Sequence, residues 1–153
     1  MRSTVNRILT YMPVLSALAL AGCGSDSDTS KFVGTWQFTS GSMIINCPGY
    51  ATQNVSVTGN VTVSKGSTSD LVVVDNQCSL KFSVSGTTAN AAPGQICTMT
   101  DATGTEVDTY TDVVFSTTDG ATGHLSETFN GALTSGGASE TCQATESADL
   151  QKL

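Results

Sequence analysis

From residue 33 onward apolar and polar side chains alternate with a period of two, and no segment sustains a helical period. In NVSVTGNVTVS, residues 54–64, Val55, Val57, Gly59, Val61 and Val63 share one face. Asn54, Ser56, Thr58, Asn60, Thr62 and Ser64 share the other. This is the pattern of a half-buried antiparallel strand. Read this way, the chain predicts eight strands, near residues 33–46, 54–64, 71–74, 78–85, 88–97, 105–117, 122–133 and 138–150. A kink is expected at Ser40-Gly41. On the last strand Ala138, Cys142, Ala144, Ala148 and Leu150 share a parity. KGSTSD, DNQ, DATG and TSGG supply turns. Gly86-Thr87 makes a two-residue turn that sets Ser85 against Thr88. Asp119-Gly120 is the strongest hairpin signal; as a two-residue turn it sets Thr118 against Ala121, Phe115 against His124 and Val113 against Ser126. Pro93 has no ladder donor, so APG predicts a bulge.

The cysteines fit this register. Continued from Ser85–Thr88, the pairing sets Cys78 near Gln95, and two extra residues at the bulge bring Cys97 opposite Cys78. A meander of eight strands exposes two edges unless it closes. Closure pairs the first strand with the eighth, and it brings Cys47 and Cys142 to the same rim. The expected disulfides are therefore Cys78–Cys97 and Cys47–Cys142, among the three connectivities that four cysteines allow. The fold class is all-β, an eight-stranded antiparallel up-and-down meander closed into a small barrel. A β-sandwich uses the same alternation and remains the alternative.

The first residues have the form of an export leader. Arg2 and Arg7 precede the apolar run ILTYMPVLSALALA, which is of signal-peptide length and short of the ~20 residues needed to span a bilayer. It ends in LAGC, Leu20 to Cys23. This resembles the lipobox of bacterial lipoproteins. The resemblance implies cleavage before Cys23, a diacylglyceryl group on its sulfur and a further acyl chain, such as palmitate, on its new amino terminus. Two or more chains hold a protein stably at a membrane. Gly24 follows, with no aspartate there, which in this family resembles the outer-membrane default. The expected organisation is a signal peptide over 1–22, a flexible tether over 23–31 and a barrel domain over 32–153.

KFVGTWQF, residues 31–38, carries Gly34-Thr35-Trp36, which resembles the G-x-W motif that opens the first lipocalin strand. The resemblance implies that Trp36 packs at the closed end of an eight-stranded barrel beneath a basic residue from near the C-terminus. Lys152 is placed to be that residue. The chain is shorter than a typical lipocalin and shows no C-terminal helical pattern, so the likeness is one of architecture.

Composition narrows the functions. Once the leader is removed, Lys31, Lys65, Lys81 and Lys152 face thirteen carboxylates, and four minus thirteen leaves about −9. Binding to nucleic acid through phosphates is excluded on that balance. His124 is the only histidine; Glu127 and the many serines near it are an orienting acid and nucleophiles only by abundance, and alternation with Leu125 points it to solvent. No G-x-S-x-G, H-E-x-x-H or phosphate-cradling loop occurs, so no catalytic residue is expected. Asp101, Glu106, Asp108 and Asp112 could gather a calcium ion near one hairpin but read better as solubilising charge. Paired cysteines cannot serve zinc. No metal or cofactor is expected. The sequons at Asn54 and Asn60 read as strand alternation. Trp36 reads as core, and Tyr50 and Tyr110 as isolated aromatics with access to a binding rim.

The expected function is thus that of a lipid-anchored envelope lipoprotein, non-enzymatic and monomeric, that acts as a structural or interaction module toward an envelope protein partner. Such a module predicts a filled barrel and an exposed patch. The alternative is a lipocalin-like carrier of a small apolar ligand. A carrier predicts a mostly apolar cavity of roughly 300 Å³ or more.

Overall fold

The computed structural model describes residues 26–153 apart from 76, 77, 103, 136 and 137. The leader, Cys23 and parts of the DNQ and TSGG turns lie outside the described residues. A short helix, α1 (Asp26–Phe32), is followed by ten strands: β1 (Gly34–Asn46), β2 (Gln53–Ser56), β3 (Asn60–Lys65), β4 (Leu71–Asp75), β5 (Cys78–Ser85), β6 (Thr88–Ala91), β7 (Gln95–Thr100), β8 (Thr105–Ser116), β9 (Thr122–Ser135) and β10 (Ala138–Lys152). Eight of them, all but β2 and β7, form an antiparallel ring. β1 closes it on β10, from Trp36↔Lys152 to Asn46↔Gln143. The fold is the closed barrel, and the sandwich is set aside.

Two of the expected strands are each broken in two. β1 takes in one extra residue between Phe38 and Ser40, next to the expected kink. Gly34–Gln37 then pairs with Val63–Asn60, and Ser42–Ile45 with Ser56–Gln53, one register apart. The partner follows this offset by breaking at residues 57–59. Val55 is consequently 41% exposed, where unbroken alternation put it in the core. β8 bulges in the same way between Tyr110 and Asp112. Along its edge β6 gives way to β7. Pro93 and Gly94 form a turn between these strands, where a simple bulge was expected, and the Gly94 amide donates to the Tyr110 carbonyl at 2.7 Å. Across this gap Gln95 replaces the missing ladder: its Oε1 accepts from the Lys81 amide and its Nε2 donates to the Lys81 carbonyl, both at 2.8 Å.

The hairpin after β8 is also off by one. Phe115 faces Leu125 and Ser116 faces His124, because the turn runs over residues 117–121. The Asp119 carboxylate holds it open, accepting from the Ala121 and Thr122 amides at 2.8 Å each. Ser85 faces Thr88 as expected.

The stretch read as a tether contributes α1. The helix packs against β3 and β5 and drives Phe32, fully buried, into one end of the barrel. Phe32 and Trp36 both meet Phe115 edge to face, with centroids 5.4 and 5.0 Å away. The last carbonyls of a helix lack partners within it. Here the Trp36 indole N–H donates to the Phe32 carbonyl at 2.6 Å, and Lys152 Nζ donates to the Lys31 carbonyl at 2.7 Å. Lys152 Nζ also lies 5.1 Å from the centre of the Trp36 ring, where the G-x-W resemblance put it, and burial holds its pKa below the usual lysine range. Gly123 makes room for this plug. A β-carbon there would come within 2.6 Å of Phe115 and 3.2 Å of Trp36.

Apolar side chains dominate the interior, and Thr, Ser and Asn dominate the outer faces of the strands. That is the reverse of a membrane-spanning barrel, whose apolar band faces lipid. Among the described residues no helix is long and apolar enough to cross a membrane.

Candidate functional site

Above the aromatic plug the barrel contains a cavity of ≈ 190 Å³. Its walls include Phe38, Leu80, Tyr110, Leu125 and Phe129 together with three carboxylates, Asp108, Glu127 and Glu146. Each acid is set there by strand parity. Glu127 lies between the buried Leu125 and Phe129 on β9, and Glu146 between the buried Ala144 and Ala148 on β10. The two are direct cross-strand partners. Asp108 shares the inner face of β8 with Tyr110 and Glu106.

Asp108 is the unusual group. It is 2% exposed, and its Oδ1 has no hydrogen-bond partner. It faces Gly131 across the β8–β9 ladder. A β-carbon at Gly131 would lie 2.7 Å from Asp108 Oδ1, so the glycine provides the space the carboxylate occupies. Burial, and next the charge of Glu106, pushes the Asp108 carboxyl up to about 6. Beside it, the Tyr110 hydroxyl lies 4.0 Å from the Cys78 sulfur, and the Tyr110 and Phe129 rings are 5.1 Å apart.

Both expected disulfides are present. Cys47–Cys142 continues the β1–β10 register by one pair, with a Cα–Cα distance of 4.3 Å; Cys78–Cys97 joins β5 to β7 at 5.2 Å. The first staples the seam of the ring at the rim away from α1. The second lies beside the cavity.

On the outer surface His124 has partners the sequence did not single out. Its Nδ1 lies 2.9 Å from Asp149 Oδ1, and its Nε2 lies 3.3 Å from Ser147 Oγ. Glu127, its candidate acid, points inward instead. The line Ser147–His124–Asp149 has the order of a nucleophile, base and orienting acid. However, β10 is paired along both edges, so its own backbone N–H groups are committed to the sheet and do not serve as oxyanion donors. His124 and Asp149 are also open to water, at 49% and 64% exposure. Hydrogen bonds from His124 and then Ser40 lower the Asp149 pKa.

The four residues considered for calcium do not come together. Asp101 accepts from the Gly104 amide in its own turn, and Asp112 lies exposed beyond the β8 bulge, while Glu106 and Asp108 face inward. Among the described residues no group of three or more His, Cys, Asp and Glu is disposed to hold a metal ion. Asn54 and Asn60 are exposed on β2 and β3. Trp36 belongs to the plug, Tyr50 is 67% exposed near the Cys47 rim, and Tyr110 is buried in the cavity wall. The inward carboxylates Glu127 and Glu146 were missed by composition, which treats acids as solubilising. The signal was their parity with Leu125 and Phe129, and with Cys142 and Leu150.

Comparison of the chain with protein-family models, curated proteins and solved structures finds no match.

Proposed function

We propose that the protein is a lipid-anchored, non-enzymatic binding module of the bacterial cell envelope, held at the membrane through Cys23. The observation that carries this reading is the pairing of the other four cysteines into two disulfides. Disulfides belong to an oxidising, exported setting. They use four of the five cysteines, and the fifth, Cys23, stands in the lipobox-like LAGC. α1 begins three residues after it and covers the closed end of the barrel. An extended chain reaches at most ~3.6 Å per residue, so the lipid would sit within about 11 Å of the start of α1. The Cys47–Cys142 rim lies at the other end of the barrel from α1, which supports a reading in which that rim would meet partners. The cavity is smaller than the roughly 300 Å³ of an ordinary small-molecule pocket and is lined by acids, which weighs against a bulky apolar cargo.

The test is Cys23→Ser with membrane fractionation. Loss of the anchor is expected to move the protein from the membrane to the soluble fraction. A variant that stays in the membrane would contradict the reading.

A further inference from the structure

We infer that the cavity in the barrel is a binding site for a small organic cation, an alkyl- or arylalkylamine whose ammonium group pairs with the Asp108 carboxylate. The inference goes beyond the anchored-module reading and does not depend on it, because the anchor lies in the leader and the cavity in the barrel.

The argument starts from Asp108 Oδ1. A buried carboxylate oxygen without a hydrogen bond is costly, and native proteins seldom retain one without a use. This one is 2% exposed in its residue, unpartnered, and part of the cavity wall. The space around it is kept by Gly131, where a β-carbon would come within 2.7 Å of the oxygen. Any larger residue at that position would displace the carboxylate.

The rest of the wall points to the same chemistry. Glu127 and Glu146 add negative charge from β9 and β10, and Glu106 lies just beyond Asp108 on β8. No Lys, Arg or His lines the cavity. An anion entering it would be repelled from three sides, and a neutral ligand would leave Asp108 unsatisfied. An ammonium group gains a charge-assisted hydrogen bond to the carboxylate. The rings of Phe38, Tyr110 and Phe129 offer faces that attract cations and cover the carbon body of the ligand. At ~30 Å³ per water the cavity has room for on the order of six, so the occupant is smaller than a drug-sized ligand. A metal ion fits poorly, since no set of three ligating side chains converges among the described residues.

The test is calorimetric titration of the full chain in detergent at about pH 7.5, where carboxylates are ordinarily ionised. The probes are phenethylamine, tetramethylammonium, the neutral phenylethyl alcohol and the anion hydrocinnamate. At least one cation is expected to bind, with the alcohol and the anion at least ~10-fold weaker, an amount that one retained charged hydrogen bond explains. Lowering the pH to about 5 protonates Asp108, the carboxylate that Glu106, Glu127 and Glu146 surround, and cation binding is expected to fall with it. Asp108→Asn is expected to lose at least ~10-fold in affinity. If that variant does not melt cooperatively, Glu146→Gln and the pH profile carry the test, and each is expected to weaken cation binding. The inference is overturned if phenylethyl alcohol binds as well as the cations, if neither cation binds at millimolar concentration, or if binding is unchanged between the two pH values.

Discussion

Replacing Phe32 with alanine tests whether α1 is part of the fold or part of a tether. The side chain is 0% exposed and stands edge-on to Phe115, with centroids 5.4 Å apart. Truncating a buried phenylalanine costs about 3–5 kcal/mol, of which the ring pair supplies roughly 0.5–1.5. The hydrogen bond from the Trp36 indole goes to the backbone carbonyl of residue 32 and survives the change, so the loss reports packing. Urea unfolding of the oxidised protein, followed by Trp36 fluorescence, measures it. With a slope of about 1–3 kcal/mol per molar urea, the midpoint is expected to fall by at least ~1 M. A tether residue would behave as a surface position, within about 0.5 kcal/mol of the parent. A loss of less than ~1 kcal/mol would refute the plug, because a cavity of that size cannot be left at the barrel end so cheaply.

Three further outcomes follow from the same geometry. Gln95→Ala removes both bonds that its amide makes to the Lys81 backbone and is expected to cost about 1–3 kcal/mol in the same unfolding assay, since each bond is worth about 0.5–1.5. Asp108 binds its proton more tightly folded than unfolded, with a folded pKa of about 6 against 3.8; stability is therefore lost as pH rises from about 4 through 6. Asp108→Asn is expected to be more stable than the parent at pH 7, by on the order of 2–3 kcal/mol from 1.36 kcal/mol per unit, with the difference vanishing near pH 4. Asp119 shows the opposite sign: the Thr122 and Ala121 amides, then the Thr122 hydroxyl, hold its pKa down to about 2. Carboxyl-carbon NMR is expected to show a midpoint well below the usual value, with stability lost as pH falls from about 4 through that midpoint.

Much of the fold was legible because a barrel with one wet face writes itself as alternation. The two disulfides followed from counting residues along paired strands, and Cys47 falls one pair beyond Asn46↔Gln143. What could not be read came from offsets that alternation does not show. The extra residues at the β1 and β8 bulges break two neighbouring strands; Ser40-Gly41 marks a kink beside the first, but no residue type marks the second or shows that either neighbour breaks. The Asp119 turn looked like a two-residue hairpin, and the side chain that lengthens it does so through hydrogen bonds from residues 121 and 122. α1 is seven residues long, two turns, too short for a period to emerge. Its support is tertiary, from Trp36 and Lys152. The candidate site was half legible. The inward positions of Glu127 and Glu146 are a matter of parity, and the two-residue hairpin register, continued, already sets Asp108 opposite Gly131, because the β8 bulge offsets the longer turn; that Asp108 Oδ1 is buried without a partner is a tertiary outcome that alternation does not show.

The account is tested most directly by intact and peptide mass spectrometry of the mature protein extracted from membranes without reduction. It predicts a chain that begins at Cys23, with diacylglyceryl and acyl mass on that residue, and with Cys47 linked to Cys142 and Cys78 to Cys97. A chain with an unmodified, alkylatable Cys23, or an N-terminus elsewhere, would contradict it.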